Sequence, residues 1–199
     1  MTPGGWLKLD IILVSSAIAI LGLTYLAPMY STVNITGVGS TSGEHLVTEY
    51  YFDRSKVTYL GSEDFHTYDH SKIGSVLAVE KLAWASSLFL VWAFLIALII
   101  GRDVLTIIIG WMAMVTSVIA IAYPVVEIPN AIEGINGFYG SSIDASWAPS
   151  IGWYLSLVSG IFVLIVALRR MNGYFMETRE KVDEDWSPTD DAPIDELLR

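Results

Sequence analysis

Hydrophobic and polar positions divide this chain into four long apolar runs and the segments between them. Ile11–Met29, Leu82–Ile100, Val104–Val126 and Ile151–Leu168 each pass without a single charged side chain. A helix of about 20 apolar residues, rising about 1.5 Å per residue, crosses a hydrocarbon layer of about 30 Å. The fourth run is the most sharply bounded. Pro149 suits the first turn of a helix, where its missing N–H is no loss. Trp147, Trp153 and Tyr154 gather at that end, and Arg169 and Arg170 close the other. Aromatic rings and arginines mark the two edges of a bilayer, and Pro149–Arg170 would span roughly 33 Å as a helix. The first run exceeds the apolar core of a cleavable signal peptide. Pro28 also follows Ala27, the one small-residue cleavage point, so an uncleaved span is expected.

Between the first two spans the period changes from helical to alternating. Val33 and Ile35 alternate with Thr32, Asn34 and Thr36, and Leu46–Phe52 and Lys56–Leu60 are rich in β-branched and aromatic residues. Asp53-Arg54-Ser55 between the last two is a hairpin signal, so three short antiparallel strands are expected. The sequence therefore predicts an all-α integral membrane protein, a four-helix transmembrane bundle with a small antiparallel β-sheet in its first extracellular loop. The expected division is an N-terminal segment 1–10, spans at 11–30, 75–100, 104–127 and 149–170, a β-rich loop 31–74, a turn 101–103, a second outer loop 128–148, and a largely disordered acidic tail 171–199.

Composition agrees with burial in lipid. The chain is 53% hydrophobic and only 16% charged, where a soluble domain carries about 25% charge. Lys8, Arg102, Arg169, Arg170, Arg179 and Lys181 fall on one side of the predicted spans, and 128–148 holds no Lys or Arg. The positive-inside rule then predicts a multi-pass protein of the cell membrane with both termini cytoplasmic. A net charge of −10 gives no basis for nucleic-acid binding, which needs clustered cations. The lack of cysteine excludes disulfides, thiolate metal sites and cysteine nucleophiles.

Candidate chemistry is sparse. No ionisable residue lies deep in any predicted span, where pumps and ion-coupled transporters keep their functional charges, and Glu80 and Lys81 fall near headgroup depth. His66, Asp69 and His70 would share a helical face, with His45 as a further ligand. The competing reading, solvated loop residues, is preferred, so no metal, cofactor or catalytic residue is assigned. Asn34-Ile35-Thr36 is a glycosylation acceptor sequence.

Small residues recur at three- and four-residue spacing. Gly152, Ser156 and Gly160 form such a stripe in the fourth span, Gly110, Ala113 and Ser117 in the third, and Ser15, Ala19 and Gly22 in the first. Such stripes let helix backbones approach closely, within one bundle or against a partner helix. Val163 is expected on the lipid side, opposite the Gly160 stripe.

Four spans, cytoplasmic ends, a long β-rich first outer loop and a short second one resemble the claudin and peripheral-myelin-protein-like group over Ile11–Arg170. That group's Gly-Leu-Trp and following pair of cysteines are absent, and Tyr59-Leu60-Gly61 is no substitute. The resemblance is one of layout, and no functional residue is carried over. The preferred reading is a structural or adhesive membrane protein, or an accessory subunit, that is not an enzyme. Its partners would be the bilayer and further copies of itself or other membrane subunits. A channel or transporter component and a surface-metal membrane enzyme are the alternatives.

Overall fold

Each apolar run forms a helix, and every one extends well past its charge-free run at one end: α1 and α2 at the start, α3 and α4 at the finish. The computed structural model describes residues 3–36, 44–59, 62–67, 72–139 and 143–185. Helices α1 (Pro3–Thr24), α2 (Lys72–Ile100), α3 (Asp103–Tyr139) and α4 (Ile151–Asp185) are all long and apolar enough to cross a membrane. They pack as a ring in which α1 touches α2 and α4, and α3 touches α2 and α4. Phe89, Leu82, Ile96, Ile108, Val118 and Ile165 face outward from the bundle. A soluble monomer rarely leaves so much apolar surface uncovered.

α1 ends at Thr24, not near Met29, and its carbonyls explain how. The last four C=O groups of a helix lack intrahelical partners. Here Tyr25, Leu26 and Ala27 donate their N–H groups to the carbonyls of Gly22, Leu23 and Thr24, and Trp84 Nε1 donates to the carbonyl of Leu21 at 3.0 Å. At the other end of the bundle the link between α2 and α3 is only Gly101 and Arg102. Gly101 adopts φ 74° and donates its N–H to the Ala97 carbonyl, the left-handed helix cap that glycine accepts without a Cβ penalty.

α3 passes through Pro124 and Pro129 instead of stopping at the first. A proline removes the N–H that would bond the carbonyl four residues back, and neighbours in a bundle can supply donors instead. One turn before Pro124, Trp153 Nε1 donates to the Ile121 carbonyl at 3.1 Å. Most of the expected second outer loop is thus the end of α3 and a strand. α4 likewise runs beyond Arg170 into the segment expected to be a disordered tail; 186–199 lie outside the described residues.

Among the described residues the sheet has five strands, not three: β1 (Tyr30–Thr36), β2 (Glu44–Tyr50), β3 (Arg54–Tyr59), β4 (Ser62–Thr67) and β5 (Ile143–Pro149). All neighbours are antiparallel, in the order β4-β3-β2-β1-β5. The first four strands come from the α1–α2 connection and the fifth from the α3–α4 connection. β1 is therefore an interior strand held on both sides, with Tyr30 opposite Tyr50 and Pro149. Pro149 ends β5 and does not open the fourth helix.

Two buried clusters form the core. Val14, Ala17, Val91, Phe94, Ala113, Val163 and Val166 fill the middle of the bundle. Met29, Tyr30, Phe52, Val76, Leu77 and Ile128 fill the end beneath the sheet, ringed by Tyr25, Trp84, Trp147 and Trp153.

Candidate functional site

Among the described residues the sheet is the one large element outside the bundle, and hydrogen bonds fix it to the helix ends. Met29 N–H donates to the Tyr50 carbonyl at 2.7 Å, Ser150 N–H to the Met29 carbonyl at 2.8 Å, and Gly152 N–H to the Pro28 carbonyl at 2.9 Å. The α1–β1 link is thereby tied both to β2 and to the start of α4. Tyr30 then reaches down from β1, and its hydroxyl donates to Glu80 Oε1 of α2 at 2.9 Å. Both side chains are almost wholly buried. Burial first, then the neighbouring carboxyl, raises the Tyr30 phenol far above its ordinary range. Among the described residues Glu80 Oε2 has no hydrogen-bond partner. A buried polar pair of this kind orients the strand it belongs to, because a slipped strand would strand both groups without partners.

The side of the sheet away from β5 ends in β4, whose residues Ser62–His66 are exposed. Phe65 is 59% exposed, and the Arg54 guanidinium lies 5.4 Å from its ring centroid and 5.6 Å from that of Tyr51. Lys56 Nζ and Glu63 Oε1 pair diagonally across β3 and β4 at 2.6 Å, and that contact raises the Lys56 ammonium above its usual value. An edge strand invites unwanted pairing unless charged residues blunt it; Glu63 and Asp64 do so here. What remains is a patch of aromatic rings and an arginine, the residue types that anchor protein contacts.

A second polar centre lies at the opposite end of the bundle. The Asp10 carboxylate of α1 is buried and takes Arg169 Nη2 on one oxygen, with Arg170 Nε 2.8 Å from the other. Arg169 also donates to the Trp6 carbonyl and lies 4.7 Å from the Trp6 ring centroid. The sequence reading missed this pairing, because 159 residues separate Asp10 from Arg169. Only the contact between α1 and α4 brings them together.

The small-residue stripes separate into two kinds. In the third span Gly110, Ala113 and Ser117 are buried, and a Cβ on Gly110 would meet Phe94 at 2.9 Å. Gly152 would meet Met29 Sδ at 2.7 Å and the Pro28 carbonyl at 2.9 Å. Gly160 would meet Ile121 at 3.4 Å and Ser117 at 3.6 Å, and Ser156 is buried beside them. Ser15, Ala19 and Gly22 instead all face outward, and a Cβ on Gly22 would meet nothing within 4 Å. Gly22 is thus not a packing residue within this bundle. Val163 also departs from expectation: it is fully buried and not lipid-facing.

Asn34 lies in β1, opposite Leu46 of β2 and Ala145 of β5. His66 belongs to a strand and is exposed, so it shares no helical face with Asp69 and His70, which lie outside the described residues. His45 is on β2, two strands away from β4, or about 9.5 Å in the hydrogen-bonding direction. It is also five positions along β2 from Tyr50, the residue level with His66 through Ser55. Among the described residues no three His, Asp or Glu side chains group as a metal site. The chain matches no model of a known protein family, and no curated protein matches it.

Proposed function

We propose that this is a structural membrane protein or accessory subunit that presents its sheet outside the cell and binds a neighbouring membrane protein through it. Both termini are cytoplasmic in this reading, as the distribution of Lys and Arg requires. The observation that carries it is the combination of a sheet tied by hydrogen bonds to the α1–β1 link, to α2 and to the start of α4 with a patch of half-buried Tyr51 and exposed Arg54 and Phe65 at its far edge. A rigidly held patch loses little entropy when a partner docks. The Ser15–Ala19–Gly22 stripe, outward on α1, offers a second seam at which a neighbouring helix can approach within the bilayer. The layout shared with the claudin and peripheral-myelin-protein-like group supports the same reading. The hydroxyls inside the bundle favour it over a channel: Ser87, Thr116 and Ser117 bond to one another and to the Met112 and Ala113 carbonyls, so they are used in helix packing.

A photo-crosslinking residue in place of Phe65, activated in the native membrane, tests this. One discrete adduct, with a second copy or another membrane protein, is expected, and Arg54→Ala should weaken it. A probe at Phe65 that captures nothing, beside one at Ala19 that does, would remove the sheet from the contact.

A further inference from the structure

Where α1, α3 and α4 diverge past Leu168, a cavity of about 870 Å³ opens, lined by Trp6, Asp10, Asp103, Arg170, Tyr174 and Glu177 among others. Most of its wall is apolar, and its charges are few and of both signs. The buried Asp10 faces two guanidinium groups, and with Asp103 and Glu177 the lining holds three carboxylates against two guanidinium groups. Arg169 is spent on Asp10, the Trp6 carbonyl and the Trp6 ring. Arg170 differs. Its Nε approaches Asp10 by distance but off the N–H direction, and among the described residues its Nη2 has no hydrogen-bond acceptor. Arg169 Nε also lacks an acceptor among the described residues, so the unused donors beside the cavity lie mainly, though not solely, on Arg170. Carboxylates of Asp103, in the first turn of α3, and of Glu177, on α4, complete the lining.

Depth adds to this. Arg169 and Arg170 are the first charges after the apolar run of α4, which puts the cavity where hydrocarbon gives way to headgroups. Trp6, Tyr174 and Phe175 are at least partly exposed there, as aromatic residues are at an interface. The volume falls within the range of small-molecule sites. A ligand that fits offers an anionic group to Arg170, a cationic N–H group to Asp103 and Glu177, and apolar atoms to Trp6, Tyr174 and Met176. We propose that this cavity binds one phospholipid whose headgroup carries both a phosphate and a protonated amine, the phosphate on Arg170 and the amine at Asp103 and Glu177. The inference rests on the chain crossing a membrane, not on the sheet contacting a neighbour, so the two can fail separately.

Native mass spectrometry and thermal unfolding of the purified full-length chain in detergent test the site, with phosphatidylethanolamine, phosphatidylcholine, phosphatidylglycerol and inorganic phosphate as probes. One phosphatidylethanolamine per chain is expected, with the other two lipids bound on the order of tenfold more weakly, the worth of one charge-assisted hydrogen bond. Inorganic phosphate alone should not raise the melting temperature. Gly173→Phe keeps the fold test separate, because Gly173 lines the cavity and a Cβ there meets nothing within 4 Å; it should fold normally and lose the lipid. Arg170→Gln should weaken all three lipids, and Asp103→Asn with Glu177→Gln should erase the preference for ethanolamine over choline. Retention of the lipid by folded Gly173→Phe overturns the proposal. So does equal retention of all three lipids, which marks a nonspecific annulus, and so does stabilisation by inorganic phosphate as large as by lipid.

Discussion

The two ends of the bundle each bury one carboxyl group, and the comparison shows how differently such a group can be used. Under the sheet, Glu80 of α2 meets a neutral donor, the Tyr30 hydroxyl, among tightly packed aromatic rings. At the other end, Asp10 of α1 meets two guanidinium groups of α4 beside an open cavity. The first arrangement is enclosed by apolar and aromatic side chains and joins a strand to a helix. The second joins helix to helix and leaves Arg170 Nη2 without an acceptor among the described residues. One end is thereby built to hold the sheet still, and the other leaves guanidinium donors without acceptors, among the described residues, beside an open cavity.

The largest difference should appear when each carboxyl is challenged. Asp10→Ala leaves two guanidinium groups without their shared anion, and removing one partner of a buried ion pair typically costs about 3–5 kcal/mol. The partly exposed arginines place the expected loss at the lower end of that range, read as a fall in unfolding free energy in detergent. Tyr30→Phe keeps the ring and deletes only the donor, so about 1–3 kcal/mol is expected from the orphaned Glu80 oxygen. That loss should fall on the sheet, as faster hydrogen exchange in β1 and β2 than in the bundle.

Alkali gives the same contrast a pH axis. The folded protein holds the Tyr30 proton above its ordinary value of 10.0, so the stability it contributes is complete below pH 10 and is lost as pH rises further. Half-buried Tyr50 is raised in the same direction, by burial. The sheet should loosen above about pH 10, and Tyr30→Phe should flatten that dependence. Tyrosinate absorbance followed together with hydrogen exchange would show a steep loss remaining in Tyr30→Phe if another group is responsible.

Glycine substitutions sharpen the comparison at a finer scale. Gly152→Ala puts a methyl group against Met29 and the Pro28 carbonyl, where the α1–β1 link is tied to α4; overpacking of this kind costs about 1–3 kcal/mol. Gly160→Ala meets only side-chain atoms at 3.4 Å or more and should cost less. Gly22→Leu should leave the monomer at wild-type stability, since nothing lies within reach. If α1 is a docking seam, the same change lowers the yield of the assembled complex on size exclusion.

The legible and illegible parts of the fold differ for physical reasons. Charge-free runs reveal spans directly, because lipid penalises every charge. β1 alternates apolar and polar residues, while β2 and β3 carry β-branched and aromatic residues on either side of a turn signal, and they were readable for those reasons. β4 is Ser-Glu-Asp-Phe-His-Thr, an exposed edge with no apolar face to set a period. β5 follows a stretch with two prolines and several glycines, which reads as loop until Trp153 is seen beside the Ile121 carbonyl. α4 outlasts its apolar run because Met, Glu, Arg and Lys are good helix formers, a weak signal next to an abrupt change in charge. The two polar centres were not legible at all. Glu80 and Asp10 are ordinary residues near helix ends in the sequence, and only the ring order of the helices gives them Tyr30, Arg169 and Arg170.

The account depends most on the two ends lying on opposite sides of one membrane, the sheet outside. The chain has no native cysteine, so single cysteines at exposed Ser62 of β4 and exposed Thr178 of α4 can be labelled with an impermeant maleimide. Ser62→Cys should react fully in intact cells, and Thr178→Cys only after lysis. Labelling of Thr178→Cys in intact cells, with Ser62→Cys protected, would invert the molecule and contradict the assignment of the sheet as an outer contact surface.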